Sequence, residues 1–452
     1  MGSLPERSDL AVVGAGVGGY IAAIRAAQLG MSVVLIEKEK LGGHCLNYAC
    51  IPSKTLLNIS KMYYEARNSD GFGIIAQQLS IDPKKMHQYR IDVSSKLENG
   101  VGFLCKSYGV EVVKGSAVFI SGNKLQLTNG TEIDFTKAVI ATGSEPVELE
   151  DFPFAEDVID YKKALSLDYI PKSMAIIGAG YVAVETATLF ARLGTKVSII
   201  ARSDVLRTFD QEAVEIIKTG LQKLGVKIYR DAMPKSKQGS TIQLSTGETI
   251  DSDITVVAVG LRPYTAGLGL ENTKTELDSK GFIKVDGSLR TNDPNILAIG
   301  DVIGEPMLAH KAMRQGVIAA EVAYGMKSAF DNIVIPAVVF SEPEVAIAGT
   351  INGEGITTTK FPMSAIGRAI AMDKKEGFVK IASTKDGLVK GVEIVSEHAG
   401  DMIAEAALAI EMGATVEDIA DTIHPHPTFS EGVQEAAEAA LGRPIHFFYS
   451  KK

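Results

Sequence analysis

Apolar residues along the chain recur in a strand–helix–strand order that occurs twice. The first copy has apolar runs at residues 10–13 and 33–36, joined by a glycine-rich turn and an alanine-rich segment. The second copy has apolar runs at residues 174–177 and 197–200. Short unbroken apolar runs that flank a helical segment are typical of parallel strands covered by helices. The pattern therefore predicts two α/β units of the Rossmann type.

Both copies place glycines at the turn between the first strand and the helix. The first copy follows the GxGxxG pattern and the second ends it with alanine: Gly14, Gly16 and Gly19 in the first, Gly178, Gly180 and Ala183 in the second. The first glycine permits a tight turn, the second lets the backbone approach a pyrophosphate, and the third lets helix and strand pack closely. The following helix N-terminus offers free N–H groups to phosphates. Two such units predict two dinucleotides, a tightly held FAD and an exchangeable nicotinamide cofactor.

The residue that ends the second strand differs between the copies. Glu37 stands there in the first copy, where its carboxylate can accept hydrogen bonds from ribose hydroxyls. Ala201 stands there in the second copy, followed by Arg202 and, nearby, Arg207. Two arginines without an acid favour NADP(H) over NAD(H), because guanidinium groups pair with a 2′-phosphate. Alternatively, both arginines are ordinary surface charges and other contacts hold NAD(H).

Two of the three cysteines, Cys45 and Cys50, lie close together after the first unit. If this stretch opens a helix, positions five apart still face each other across the first turns, within disulfide reach. The helix N-terminus and the nearby Lys54 would favour thiolate over thiol, as a redox relay requires. The spacing alone also allows two buried core cysteines. Cys105 has no partner motif and is predicted to be a structural thiol.

The stretch Gly-Gly-x-Cys-Leu-Asn-x-x-Cys-Ile-Pro-Ser-Lys at residues 42–54, directly after an FAD fingerprint, resembles the class I pyridine nucleotide-disulfide oxidoreductases, and most of all their dihydrolipoamide dehydrogenase branch. The resemblance implies that Cys45 attacks the substrate disulfide and that Cys50 is the thiol next to the flavin. His44 stands where Thr is usual and Ala49 where Gly is usual. Both changes bear on the local backbone and on thiol reactivity.

The resemblance extends to further residues around the flavin. It implies that Lys54 lies near the flavin and pairs with Glu185, and that Tyr181 covers the flavin until nicotinamide arrives. Further positions are expected to bound the two cofactor segments or to contact the FAD ribityl chain: Ala141, Thr142 and Gly143, then Gly260, Gly300 and Asp301. His310, on a helix under the flavin, is expected to be a core histidine without a catalytic role.

The character of the chain changes at about residue 336, where a β-rich stretch passes into helices. This part resembles the family's interface domain, which forms homodimers. The resemblance implies that His426 is a general acid/base and that Glu431 orients it, with the histidine supplied by the partner subunit. A histidine titrates close enough to neutral pH for such a role.

These patterns predict an α/β fold with two Rossmann-like dinucleotide-binding domains and a C-terminal α+β dimerisation domain. The FAD-binding domain is expected at residues 1–145 and 269–332. The NAD(P)-binding domain is expected at 146–268 and the dimerisation domain at 333–452. A length of 452 residues agrees with roughly three domains at about 150 residues each.

Composition excludes several other classes of protein. The net charge of −9 disfavours non-specific nucleic-acid binding, which needs a basic surface. No apolar run approaches the ~20 residues of a membrane helix, and residues 1–10 have no leader pattern. Three cysteines do not make a disulfide-stapled secreted scaffold, so a cytoplasmic location is expected. No metal site is expected.

The sequence thus predicts an FAD-dependent oxidoreductase that couples NAD(P)(H) to a lipoamide-type disulfide, either in a small molecule or on a lipoyl domain. One alternative is an NADPH-dependent reductase of another disulfide or electrophile, similar to mercuric or glutathione reductases. The cysteine-free C-terminus disfavours metal-ion reduction, and the residues flanking Cys50 disfavour glutathione. Another is a redox-sensing flavoprotein with little turnover.

Overall fold

A computed structural model of the chain describes residues 7–448. Residues 1–6, part of the segment expected to carry no leader, lie outside the described residues. So do residues 449–452, the end of the cysteine-free C-terminus. No helix in the described part is both long enough and apolar enough to cross a membrane.

The first sheet contains seven strands, six from the early part of the chain and one that arrives much later. They are β1 (Arg7–Val13), β2 (Val33–Glu37), β3 (Glu111–Lys114), β4 (Ala117–Ser121), β5 (Lys124–Leu127), β6 (Glu132–Ile140) and β17 (Ile296–Ala298). The order is β3-β2-β1-β6-β5-β4, and β17 pairs in parallel with the end of β6. The parallel strands β1, β2 and β6 end side by side, so the turns after them meet at one edge.

Helices cover this sheet and carry the cysteines. They are α1 (Val17–Gln28), α2 (Gly43–Asn47), α3 (Cys50–Arg67), α4 (Pro83–Ser107) and the later α8 (Ala309–Tyr324). Helices α1 and α8 pack closely because both carry glycine at the contact. A Cβ added at Gly316 would lie 2.5 Å from the carbonyl oxygen of Gly18.

The second unit repeats this plan with a parallel sheet of five strands. The strands are β8 (Val158–Ile159), β9 (Ser173–Ile177), β10 (Lys196–Ile200), β11 (Lys227–Tyr229) and β15 (Ile254–Val257), in the order β11-β10-β9-β15-β8. Its helices are α5 (Tyr161–Ala164), α6 (Tyr181–Arg192) and α7 (Gln211–Lys223). A small antiparallel sheet is added by β12 (Pro234–Gln238), β13 (Thr241–Leu244) and β14 (Thr249–Asp251).

Two short strands connect the first and second units. They are β7 (Ser144–Pro146) and β16 (Leu261–Pro263), which pair antiparallel where the chain enters and leaves the second unit. The second unit is therefore an insertion between β6 and β17 of the first sheet.

The C-terminal region is a five-stranded antiparallel sheet with helices. The strands are β18 (Ala337–Val339), β19 (Glu344–Gly349), β20 (Ile356–Pro362), β21 (Phe378–Thr384) and β22 (Val389–Ser396). The helices are α9 (Gly367–Ala371), α10 (Ala399–Glu411), α11 (Val416–Asp421) and α12 (Glu431–Ala440). One hydrophobic cluster joins this sheet to the second unit and to α3, through Phe378 and Leu57 among others.

The predicted fold class is confirmed: two Rossmann-like units are followed by an α+β region. The three domain boundaries stay predictions. The expectation that His310 is a core histidine was wrong, because the residue is exposed and its Nε2 lies 2.7 Å from the carbonyl oxygen of Pro336. As the second residue of α8, it lies at the open end of that helix, away from the buried face.

Candidate active site

One cavity lies where the first unit, the second unit and the returning segment before α8 meet. It gathers most of the residues predicted to contact the flavin: Gly14, Gly16, Glu37, Cys45, Cys50, Lys54, Ala141, Thr142, Gly143, Tyr181, Glu185, Gly300 and Asp301. Other predicted residues do not line it: Gly19, Gly178, Gly180, Ala201, Arg202, Arg207, Gly260, His426 and Glu431.

The first glycine turn leaves open space above the start of α1. Gly14 has φ +99°, and a Cβ there would lie 2.4 Å from the carbonyl oxygen of Ala141. Gly16 has φ −62° and stands at the N-cap of α1, and nothing lies within 4 Å of a Cβ added to it. A side chain introduced at Gly16 would therefore not clash with the protein, but it would occupy space that a bound group could use. This space, beside free N–H groups of the helix, fits a phosphate.

Glu37 ends β2 with its carboxylate held in a fixed orientation. Its Oε2 accepts a hydrogen bond from the Ala15 N–H at 2.7 Å, and its Oε1 accepts one from the Glu39 N–H at 2.8 Å. Each carboxylate oxygen keeps a second lone pair. The carboxylate therefore lines the cavity ready to accept ribose hydroxyls.

Asp301 lies at the opposite side of the same cavity, in the turn that follows β17. Ser144 Oγ donates to its Oδ2 at 2.6 Å. Burial raises the pKa of Asp301, while the Ser144 hydroxyl lowers it. The preceding Gly300 has φ +78°, and its N–H donates to the side-chain oxygen of Gln315 at 2.9 Å. The glycine cradle, Glu37 and Asp301 together fit an FAD molecule.

The cysteine stretch differs from the expected single helix. Cys45 lies in the short helix α2, and Cys50 is the first residue of α3. Tyr48 and Ala49 break the helix between them, with φ/ψ of −134°/−14° and −130°/−93°. The two thiols nevertheless lie close enough for each to shift the pKa of the other, even though they belong to different helices.

The interaction between the thiols makes their acidities unequal. It raises the pKa of Cys45 far above the usual range, helped by burial, and it lowers the pKa of Cys50. The ammonium group of Lys54 also lowers the pKa of Cys50. Cys50 stands at the N-terminus of the 18-residue helix α3, where a thiolate is favoured. The negative charge of the pair therefore concentrates on Cys50.

Lys54 and Glu185 form the predicted ion pair across the two units. Lys54 Nζ lies 3.0 Å from Oε1 and 2.8 Å from Oε2 of Glu185. Ser53 Oγ also donates to Glu185, at 2.9 Å. The carboxylate is buried, so its charge is compatible with the interior only because these donors satisfy it.

The end of β10 in the second unit carries no carboxylate acceptor. Ala201 is buried, whereas Arg202 and Arg207 are exposed and form no ion pair within residues 7–448. Asp204, the next acid along the chain, pairs with Lys218 at 3.0 Å and with Arg230 at 3.2 Å.

His426 is exposed and held by Glu431. Its Nδ1 lies 2.7 Å from Glu431 Oε1, and the other oxygen of Glu431 accepts the Thr428 N–H at 2.8 Å. Burial raises the pKa of Glu431, but these two hydrogen bonds outweigh it and the net shift is downward. His424 uses both ring nitrogens within the chain, one of them on Glu405 at 2.8 Å. Within residues 7–448 the Nε2 of His426 has no hydrogen-bond partner, and the residue lies outside the cavity described above.

Several residues that contact the site were not identified from the sequence, among them Ser53, Ser144 and Phe340. Ser53 and Ser144 directly adjoin predicted positions, so the motifs themselves pointed to them. Phe340 is different: its backbone N–H donates to Glu185 Oε1 at 3.2 Å, although it lies far away in the chain. No local pattern signals such a contact.

Comparison with known proteins gives full-length matches. The family described as pyridine nucleotide-disulphide oxidoreductase matches residues 8–316, and its dimerisation domain matches residues 335–437. The chain is 45% identical to a dihydrolipoyl dehydrogenase of Geobacillus stearothermophilus and 44% identical to one of Bacillus subtilis, over 99% of each chain.

Solved structures agree with these matches. LpdA of Mycobacterium tuberculosis aligns with a TM-score of 0.90 and 26% identity, over 96% of this chain and all of that one. The HOCl-induced flavoprotein disulfide reductase RclA of Escherichia coli aligns with a TM-score of 0.86 and 26% identity, over 95% of this chain and 99% of that one.

Proposed function

The chain belongs to the pyridine nucleotide-disulphide oxidoreductases, and we propose that it passes two electrons between a lipoyl dithiol and a nicotinamide cofactor through FAD and the Cys45–Cys50 pair. Enzymes of this family are flavin- and nicotinamide-dependent. The observation that carries the proposal is the placement of Cys45 and Cys50 together in the cavity that fits FAD, with the Lys54–Glu185 ion pair in the same cavity.

The two cysteines divide the thiol chemistry between them. Cys45 passes its proton to His426 and attacks the substrate disulfide as a thiolate, which forms a mixed disulfide and frees the other substrate sulfur to take that proton from His426. Cys50 then attacks Cys45, which closes the Cys45–Cys50 disulfide and releases the second substrate thiol. A dihydrolipoyl substrate is oxidised by the same steps in reverse. FAD, when bound, supplies the two-electron carrier between the cysteine pair and the nicotinamide. Tyr181, at the start of α6, covers the site until the nicotinamide arrives.

His426 serves as the acid and base for the thiols, from the partner subunit of a homodimer. It protonates the departing substrate thiolate or removes a proton from the incoming dithiol, while Glu431 fixes the ring. Its exposed position outside its own chain's cavity supports this arrangement, as does the match to the dimerisation domain.

The nicotinamide cofactor is proposed to be NADP(H) rather than NAD(H). Arg202 and Arg207 are exposed at the end of β10, and Asp204 is already engaged by two cations. A 2′-phosphate would pair with the free guanidinium groups. The cytoplasmic location expected from the sequence stays a prediction.

Anaerobic reduction of the purified protein tests the redox pair. Two-electron reduction should produce a long-wavelength absorbance band between the Cys50 thiolate and the flavin, and Cys50→Ser should abolish it. Cys105→Ser, a change at a buried thiol in α4, is the matched control and should keep the band. A band that persists in Cys50→Ser would show that the assignment is wrong.

A substrate screen tests the lipoyl assignment. Lipoamide, glutathione disulfide and other disulfides are compared with NADH and with NADPH. Lipoamide should give the highest kcat/KM. A clear preference for glutathione disulfide would favour the alternative class of reductase.

A further inference from the structure

A short segment of the C-terminal domain, residues 340–343, contacts the Lys54–Glu185 ion pair beside Cys50. The backbone N–H of Phe340 donates to Glu185 Oε1 at 3.2 Å. The aromatic ring of the same residue lies 4.4 Å from the ammonium nitrogen of Lys54. Phe340 therefore contacts both members of the ion pair, one through its backbone and the other through its ring.

The same segment is anchored a second time on helix α6. Glu342 pairs with Arg192, which is buried and lies seven residues after Glu185. Seven residues are about two helical turns, so both contacts fall on one face of α6. Glu342 also pairs with Lys374 at 2.9 Å. The segment is thereby held along α6 at two separate points.

The backbone of this segment also packs closely against α7. A Cβ added at Gly220 on α7 would lie 1.8 Å from the carbonyl oxygen of Glu342. The segment thus fills the space between α6 and α7, and it has little freedom to move away from Glu185.

Lys54 and Glu185 act on Cys50 in opposite directions. The Lys54 ammonium lowers the pKa of Cys50 and the Glu185 carboxylate raises it. The Cys45 thiol also acts on Cys50, and Tyr161 on α5 and Tyr181 on α6 line the same cavity. A change in the position of the Lys54 ammonium or the Glu185 carboxylate would therefore change the pKa of the Cys50 thiol.

We propose that Phe340 is a positioning residue that fixes the Lys54–Glu185 pair, so that the C-terminal domain sets the charge environment of Cys50. The ring holds the ammonium by a cation–π contact, and the backbone N–H neutralises part of the carboxylate's charge. The proposal rests on the proposed function of the Cys45–Cys50 pair. Docking of the domain that forms the dimer is thereby coupled to the chemistry of the cysteines.

An acid titration of the two-electron-reduced holoenzyme tests this inference. The measured quantity is the pH at which half of the thiolate-to-flavin band is lost. Phe340→Leu keeps an apolar side chain but removes the ring, so Lys54 moves more freely and stabilises the thiolate less. The midpoint should rise by about 0.5 pH unit. Phe340→Tyr keeps the ring and should retain the wild-type midpoint.

Phe378→Leu is the matched control. Phe378 belongs to the same hydrophobic cluster, and its ring lies 5.0 Å from the ammonium of Lys380, but it does not contact Lys54 or Glu185. This variant should leave the midpoint unchanged. If Phe340→Leu fails to fold, Phe340→Met provides the same measurement.

Each outcome has a distinct meaning. An unchanged midpoint in Phe340→Leu or Phe340→Met would overturn the inference, and so would an equal shift in Phe378→Leu. Absence of the band in the wild-type protein would instead contradict the proposed function, so the two failures are distinguishable.

Discussion

The two dinucleotide-binding units share one backbone plan and differ in the side chains placed on it. Each has a first glycine with positive φ whose Cβ would collide with a carbonyl oxygen of the neighbouring strand, at 2.4 Å for Gly14 and 2.2 Å for Gly178. Each also has an open glycine at the helix N-cap, Gly16 or Gly180. The shared features concern the phosphates, which both dinucleotides contain.

The differences lie at the third glycine position and at the end of the second strand. A Cβ at Gly19 would lie 1.9 Å from the carbonyl oxygen of Gly14, whereas Ala183 fits its own unit fully buried. Glu37 ends β2 with its carboxylate fixed by two N–H groups, whereas Ala201 ends β10. The two units therefore share the glycine turn that fits phosphates, and a few side chains around it distinguish one nucleotide from the other.

The largest effect should come from filling the open glycine of either unit. Gly16→Val should abolish FAD binding, because loss of two charge-assisted hydrogen bonds of about 2 kcal/mol each corresponds to about 1,000-fold in affinity. Gly180→Val should keep the flavin and raise only the KM for the nicotinamide. Flavin absorbance and steady-state kinetics measure the two effects.

Both backbones already have negative φ at these glycines, so the fold should tolerate either change. Circular dichroism checks this. If Gly180→Val also lost its flavin, the assignment of one dinucleotide to each unit would be contradicted.

Substitutions at the third glycine position should change the free energy of unfolding by different amounts in the two units. Gly19→Ala should destabilise the protein by about 3 kcal/mol, because its methyl group has no room against the Gly14 carbonyl. Ala183→Gly should cost only about 1 kcal/mol, from lost helix propensity and a small cavity. Urea unfolding of the two variants measures both values. Equal losses of stability would show that α1 and α6 pack equally closely against the glycine turns that precede them.

The arginines after β10 should change cofactor preference without changing the fold. Replacing Arg202 and Arg207 by alanine should reduce kcat/KM for NADPH about 10- to 100-fold, since charged hydrogen bonds contribute about 1.5–3 kcal/mol. The kcat/KM for NADH should stay unchanged. Arg230→Ala, at an exposed arginine already paired with Asp204, is the control. A wild-type preference for NADH would refute this part of the proposal.

The smallest effect is expected at the end of β2. Glu37→Gln keeps one oxygen acceptor but loses the charge, so FAD should bind about tenfold more weakly, a loss of about 1.4 kcal/mol. Equilibrium binding of FAD to the apoprotein measures this. An affinity equal to that of the wild type would indicate that Glu37 only organises the turn through Ala15 and Glu39.

The sequence predicted features that arise from local patterns. The apolar runs at residues 10–13 and 174–177 became β1 and β9, because short buried strands and glycine turns are encoded over few residues. The β-rich stretch that passes into helices, expected from about residue 336, is found as strands β18 to β22 followed by α10, α11 and α12. Fold class followed from the order of these elements.

Features that depend on long-range packing were not predictable in the same way. The break at Tyr48 and Ala49, which separates the cysteines into two helices, did have a local signal, because Pro52 in the first turn of α3 is typical of a helix that begins there. The contact of Phe340 with Glu185 joins residues 155 positions apart. Such contacts depend on how the domains pack against each other, and a short stretch of sequence does not indicate that packing.

Because β17 and α8 complete the first sheet only after the second unit has been made, the order of synthesis matters. Strands β8 to β15 form one contiguous stretch, so the second unit can fold as soon as it leaves the ribosome. The nascent first sheet must wait with one edge of β6, the edge at Ala138–Ile140 that faces away from β1, unpaired until Ile296–Ala298 emerge. During that interval the growing polypeptide exposes an apolar strand edge, and we expect it to be the stage at which molecular chaperones bind this protein.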